Sequence, residues 1–98
     1  MDVIFRVTIR GDVQGVGYRA WAEVTALELG IQGWVRNCRD GSVEALLAGS
    51  EESVLTMIEL CRGGPRSARV RVIDQREASA ADLALRRPGD LFSVLSSA

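Results

Sequence analysis

The sequence predicts an α+β sandwich in the order β-α-β-β-α-β, with two helices on one face of an antiparallel sheet. Three observations predict it. Hydrophobic residues recur first every two positions and then at helical spacing, and the switch happens twice along the chain. An Asp-Gly turn joins two alternating segments, and glycine-containing breaks end both helical ones. With 98 residues, 47% of them hydrophobic, there is room for one core, so residues 1–98 are read as a single domain.

From Val3 to Arg10 the apolar set Val3, Phe5, Val7 and Ile9 alternates with Ile4, Arg6, Thr8 and Arg10, the pattern of a half-buried strand. After Gly17 the period lengthens. Ala20, Val24 and Leu27 share a helical face with Trp21 beside it, and Gly30 is placed to cap that helix. Ile31 to Cys38 is the second strand. Arg39-Asp40-Gly41 turns it into a third, Ser42 to Leu47, with Val43, Ala45 and Leu47 on one face.

Ser50 is suited to N-cap the second helix, since its hydroxyl can accept from a free first-turn amide, and Glu51 and Glu52 complement the helix dipole. Val54, Met57, Ile58 and Cys61 then fall at i, i+3, i+4 and i+7, and Gly63-Gly64-Pro65 stops the helix. In the fourth strand Ala68, Val70 and Val72 alternate with Arg69 and Arg71. Ala78 to Asp90 carries no regular pattern, and Leu91 to Leu95 is a short fifth edge strand at most. Right-handed crossovers place the first and third strands at the centre, the ferredoxin-like arrangement.

The twelve basic residues, all arginine, face thirteen acidic ones for a net charge of -1, spread without a basic tail. That balance gives no general attraction to nucleic acid or to an anionic membrane, so neither is an expected partner. No apolar run approaches the roughly 18 residues a membrane span needs, and charges at Asp2, Arg6, Arg10 and Asp12 exclude a secretory leader, so the expected location is cytoplasmic. Cys38 and Cys61 form no CxxC motif and there is no histidine, so no metal and no cofactor is expected. Both cysteines read as free thiols.

The segment Gly11 to Arg19 joins a strand to a helix and is rich in glycine. Gly15 and Gly17 permit positive φ, so successive backbone N–H groups can converge on one anion at a helix N-terminus. Arg19 adds a planar fork of donors suited to two phosphate oxygens. A P-loop is excluded because no Gly-Lys-Ser/Thr follows. Gly15-x-Gly17-x-x-Ala20 fits a dinucleotide fingerprint, but the second strand ends in Arg36-Asn37 rather than an acidic residue and leads into a hairpin, not another helix.

The segments GDVQGVGYR, residues 11–19, and GWVRNCRDGSVE, residues 33–44, resemble the two signature segments of the acylphosphatase family. GGPRSARV, residues 63–70, is similar to that family's lead into its fourth strand, and the resemblance spans about residues 3–74. It implies metal-independent hydrolysis of the carboxyl-phosphate bond in small acyl phosphates, without a phosphoenzyme. It further implies that Gln14, Gly15, Val16, Gly17, Tyr18 and Arg19 bind the phosphate, that Arg19 and Asn37 are catalytic, and that Asn37 orients the attacking water. Phosphate or sulfate is expected to occupy the loop, and a monomer is expected. One departure stands out: Asp12 sits where the family often has a basic or neutral residue.

The chemistry agrees with a histidine-free chain. A carboxylate leaving group has an ordinary pKa of about 4, so it departs without a general acid at neutral pH. For a loose phosphoryl-transfer transition state, positioning and charge stabilisation carry most of the rate. Taken without the family, the residues favour Asn37 as a brace for the following Cys38-Arg39-Asp40-Gly41 turn.

The same fold also serves non-catalytic anion-binding or RNA-binding modules. Arg6, Arg10, Arg69 and Arg71 are candidates for an outward basic face. An RNA-binding sheet, however, stacks bases on aromatic residues of its central strands, and Phe5 alternates with the core set. A carbamoyl-phosphate-processing relative, of the kind fused to larger maturation enzymes, would be expected to carry a further catalytic domain.

Overall fold

The computed structural model describes residues 2–98, which form one five-stranded sheet in the order β4-β1-β3-β2-β5. The elements are β1 (Asp2–Asp12), α1 (Tyr18–Glu28), β2 (Gln32–Asn37), β3 (Val43–Ser50), α2 (Glu51–Cys61), β4 (Arg69–Glu77), a short α3 (Ala80–Leu83) and β5 (Phe92–Val94). β1 pairs antiparallel with β3 and β4, and β2 antiparallel with β3. The ferredoxin-like order is as expected, with β1 and β3 inside the sheet.

The core lies between α1, α2 and the sheet. Val7 and Ile9 of β1, Val35 of β2, and Val43, Ala45 and Leu47 of β3 point into it, matching the alternation read from the sequence. α2 contributes Val54, Met57, Ile58 and Cys61, all buried. Burying one such aliphatic side chain stabilises by about 1.5–3 kcal/mol, so this stripe is what holds the helix down. Ser50 caps α2, its hydroxyl accepting from the Ser53 amide at 3.1 Å.

Three readings need correction. The buried face of α1 is Tyr18, Ala22 and Ala26, whereas Val24 and Leu27 are exposed. Small alanines let the helix approach the sheet closely, which outweighs the greater hydropathy of the neighbouring face. In β4 the pairing shifts between Arg10 and Gly11, which oppose Val72 and Val70 and leave Arg71 as the extra residue of a bulge. The alternation therefore flips: Val70 and Ile73 pack against the core, and Val72 is exposed. Finally, the sheet is mixed, because β5 runs parallel to β2 with Gly33, Trp34 and Val35 opposite Phe92, Ser93 and Val94.

Residues 78–98 are also structured, contrary to the patternless reading of Ala78 to Asp90. Ser79 and Asp82 form a capping box that starts α3. This turn covers the sheet face opposite the long helices, where Trp34 and Leu46 are fully buried outside the main core. Trp34 Nε1 donates to the Asp82 carbonyl at 2.9 Å. The Arg6 and Arg36 guanidinium groups lie 5.5 and 4.7 Å from the centre of its indole. Glu44 bridges both arginines, at 3.4 Å to Arg6 and 2.8 Å to Arg36. β5 then returns along the edge of β2 and brings Val94 to the end of the sheet where the glycine-rich loop lies.

Candidate active site

The loop between β1 and α1 is held at both ends by buried side chains, Val13 and Tyr18. Between them Gly15 (φ 74°) and Gly17 (φ 82°) take the left-handed conformation, and Gly17 is the N-cap of α1. Side chains with a Cβ resist that conformation, so the backbone folds back on itself where glycine allows it. Among the described residues, no protein group accepts from the amides of Gly15, Val16, Gly17, Tyr18 or Arg19. Five consecutive N–H groups at a helix start, none engaged within the fold, have the makings of an anion cradle.

Tyr18 anchors the loop from below. Its ring packs edge-on against Trp21, with centroids 5.3 Å apart, and its hydroxyl donates to the Cys61 carbonyl at 2.6 Å. Burial raises the hydroxyl pKa far above its usual value, so it stays protonated and serves as a donor, not an acid. Burial also pushes the neighbouring Cys61 thiol up to about 11. That thiol is no nucleophile at neutral pH.

From the other side comes the β2–β3 hairpin. Cys38 N–H donates to the Ser42 carbonyl at 2.9 Å, and the Ser42 amide and hydroxyl both donate to Asp40 Oδ1, at 2.9 and 2.6 Å. Arg10 holds the other Asp40 oxygen at 3.0 Å. The Gln14 side-chain amide crosses from the loop and donates to the Cys38 and Ser42 carbonyls, each at 2.8 Å.

Loop and hairpin enclose a cavity of about 300 Å³ lined by Val13, Gly15, Gly17, Tyr18, Arg19, Ala20, Glu23, Asn37 and Val94. Arg19 and Asn37, far apart in sequence, thus meet on one cavity. Both are half-buried. No carboxylate lies within ion-pair distance of Arg19 among the described residues, and the Asn37 side-chain amide has no partner there, so both keep their donors free. The main-chain carbonyl of Asn37, distinct from its side-chain oxygen, accepts from Ala98 N–H at 2.9 Å.

Of the residues expected to bind phosphate, Gly15, Gly17, Tyr18 and Arg19 line this cavity, while Gln14 and Val16 do not. Val16 packs against the core, and the Gln14 side chain is spent on the hairpin. Asp12, the departure from the family pattern, is exposed, outside the cavity lining and opposite Arg69 in the sheet. Sequence reasoning missed Glu23 and Val94. Glu23 carried a signal, since it lies one helical turn after Arg19 and so on the same face. Val94 carried none, because only the parallel pairing of β5 brings it there. No group of three metal-ligating side chains occurs among the described residues, and no helix is long and apolar enough to cross a membrane.

Fold and cavity together define a ferredoxin-like sandwich with a glycine-rich loop of free backbone amides between its first strand and first helix. The acylphosphatase family model matches residues 5–84. The chain is 55% identical over 93 residues to an acylphosphatase of Rhodopseudomonas palustris (strain BisB18), covering 95% of this chain and 94% of that protein. It is 58% identical over 92 residues to one of Bradyrhizobium diazoefficiens, covering 94% and 93%. The solved structure of an acylphosphatase from Coxiella burnetii superposes with a TM-score of 0.82 at 31% identity, over 96% of this chain and 93% of that one. The chain belongs to the acylphosphatase family, a family of enzymes. The similarity to these relatives also runs past the 3–74 span of the sequence resemblance into the C-terminal segment.

Proposed function

We propose that this protein hydrolyses the carboxyl-phosphate bond of small acyl phosphates in one metal-independent step. The observation that carries the reading is the meeting of free loop amides, an unpaired Arg19 and an unpaired Asn37 amide on one cavity. The backbone amides of Gly15 to Arg19 cradle the phosphoryl oxygens, and the Arg19 guanidinium offsets their charge with two parallel donors. Asn37 orients a water, its carbonyl oxygen accepting a water hydrogen and its NH₂ donating to the water oxygen. The water oxygen bonds to phosphorus as the bond from phosphorus to the acyl oxygen breaks. The carboxylate leaves with the bonding pair, and the water's protons pass to phosphate and solvent. No group need protonate the leaving oxygen, because the carboxylic acid has a pKa of about 4.

Two unpaired thiols suit a reducing compartment, so we place the protein in the cytoplasm, acting as a single-domain monomer on a small-molecule substrate, with inorganic phosphate or sulfate able to occupy the cradle. The RNA-binding alternative loses part of its surface, with Arg69 and Arg71 still exposed. Arg6 and Arg10 are engaged by Glu44, Asp82, Asp40 and Asp74, and α3 covers the sheet over Trp34.

Hydrolysis of benzoyl phosphate tests the assignment. Arg19→Ala and Asn37→Ala should each lose about 100-fold or more in turnover, the scale of removing one preorganised donor from a transition state. Near-wild-type turnover by either variant would remove that residue from the mechanism.

A further inference from the structure

We infer that Gln14 is a positioning residue that sets the span between the phosphate cradle and Asn37. This rests on the reading that the cradle holds the phosphoryl group and Asn37 the water. The two parts belong to different segments, and their strands are not neighbours, since β3 lies between β1 and β2. Among the described residues, the only hydrogen bonds that join the 13–19 loop to the hairpin are the two from Gln14 Nε2, each at 2.8 Å. One of them ends on the carbonyl of Cys38, a single peptide beyond Asn37. The other ends on Ser42, which is buried and closes the hairpin against Cys38 and Asp40.

The receiving end is therefore rigid, and the donating end leaves the cradle in the residue before Gly15. Both amide hydrogens of Gln14 are used and neither faces the cavity, so its side chain acts on the chemistry only through the geometry it imposes. Misplacing one reacting group by about 1 Å can cost on the order of 100-fold in rate. The cradle keeps its own anchors, Val13 and Tyr18, when Gln14 is altered. Phosphate binding and turnover should then separate.

Three measurements test this with benzoyl phosphate as substrate and inorganic phosphate as competitive inhibitor. Gln14→Ala should lower kcat by about 10-fold or more while the phosphate inhibition constant stays within about three-fold. Equal losses in both would mean that the cradle itself has collapsed, and no loss in kcat would mean that the tie is idle. Either result overturns the inference.

Gln14→Glu keeps the shape but, when ionised, aims a carboxylate at two carbonyl oxygens. It should be impaired near pH 8 and recover toward pH 5 as protonation restores one donor. The charged or titratable groups on the joined segments are Asp12, Tyr18, Arg19, Cys38, Arg39 and Asp40, and burial keeps the Tyr18 hydroxyl protonated. Asp40 is already held near 2 by Ser42 and Arg10, so it does not titrate in this range. A Gln14→Glu profile that parallels the wild type overturns the inference.

In an Asn37→Ala background, Gln14→Ala should cost less than about three-fold, because the group it positions is gone. The full loss in that background also overturns it. Asn37→Ala retaining turnover on its own would instead strike the reading underneath, a result that the Gln14 variants cannot mimic.

Discussion

Gly64 and Gly30 make a matched pair for a stability experiment. Each follows a long helix and each is left-handed, with φ of 61° and 71°. They differ in what a side chain would meet. A Cβ on Gly30 finds open space, whereas one on Gly64 would come 2.5 Å from Tyr18 Cε2 and 3.1 Å from Cδ2. The ring has nowhere to retreat: it is 2% exposed, Trp21 stands against it, and its hydroxyl is tied to the Cys61 carbonyl. Gly30→Ala should therefore cost only the conformational term, about 1 kcal/mol. Gly64→Ala adds overpacking of about 1–3 kcal/mol, for a total of about 2–4 kcal/mol. At this chain length each kcal/mol moves Tm by about 4–8 °C, so Gly64→Ala should melt at least about 8 °C lower. Urea unfolding followed by tryptophan fluorescence, with thermal melts beside it, measures both. If the two variants lose the same stability, the steric argument about Tyr18 is wrong and backbone strain alone accounts for the glycine.

Two further outcomes are expected. With no histidine in the chain and a leaving group that departs unprotonated, kcat should be nearly flat from about pH 5 to 8 and unchanged by EDTA. A bell-shaped profile would require an acid-base pair that the proposed mechanism lacks. Asp40 is held down to about 2, first by the Ser42 hydroxyl and amide and then by Arg10. A carboxylate with a lowered pKa adds stability that is full above its unfolded value of about 3.9 and fades as pH falls toward 2. The wild type should thus be more stable than Asp40→Asn near neutral pH and lose that advantage on acidification between about pH 4 and 2. A gap between the two that does not narrow on acidification would mean the Ser42 and Arg10 contacts do not govern this carboxylate.

The sequence was most legible where structure is local. α2 could be read face, cap and stop, because Ser50, the 3.6-residue period of Val54, Met57, Ile58 and Cys61, and the Gly63-Gly64-Pro65 break all act within one element. α1 was misread because hydropathy favours Val24 and Leu27, while the sheet accepts the side that comes closest, Ala22 and Ala26. β4 was misread because nothing in the residue types announces a bulge at Arg71. Ser79 and Asp82 have the Ser-x-x-acid spacing of a capping box, but the small residues around them give no helical period to go with it. In the site, the positive φ of Gly15 and Gly17 and the place of Arg19 followed from residue type. Its meeting with Asn37 did not, since only the sheet brings them together, and the resemblance to a family stood in for that geometry.

The bulge in β4 bears on how copies of this protein meet one another. Among the described residues β4 pairs with β1 alone, so it presents nine residues of one-sided backbone, a natural template for a strand from another molecule. The extra residue at Arg71 breaks the regular spacing of donors and acceptors that such a strand would have to match. Arg69, Arg71, Asp74, Arg76 and Glu77 are exposed along the same stretch, so docking there would strip water from five charges. At the opposite edge β5 offers three residues, too few to seed pairing. The irregularity that concealed the inward face of β4 from sequence reading thus also guards the protein's longest open edge against joining with its own kind.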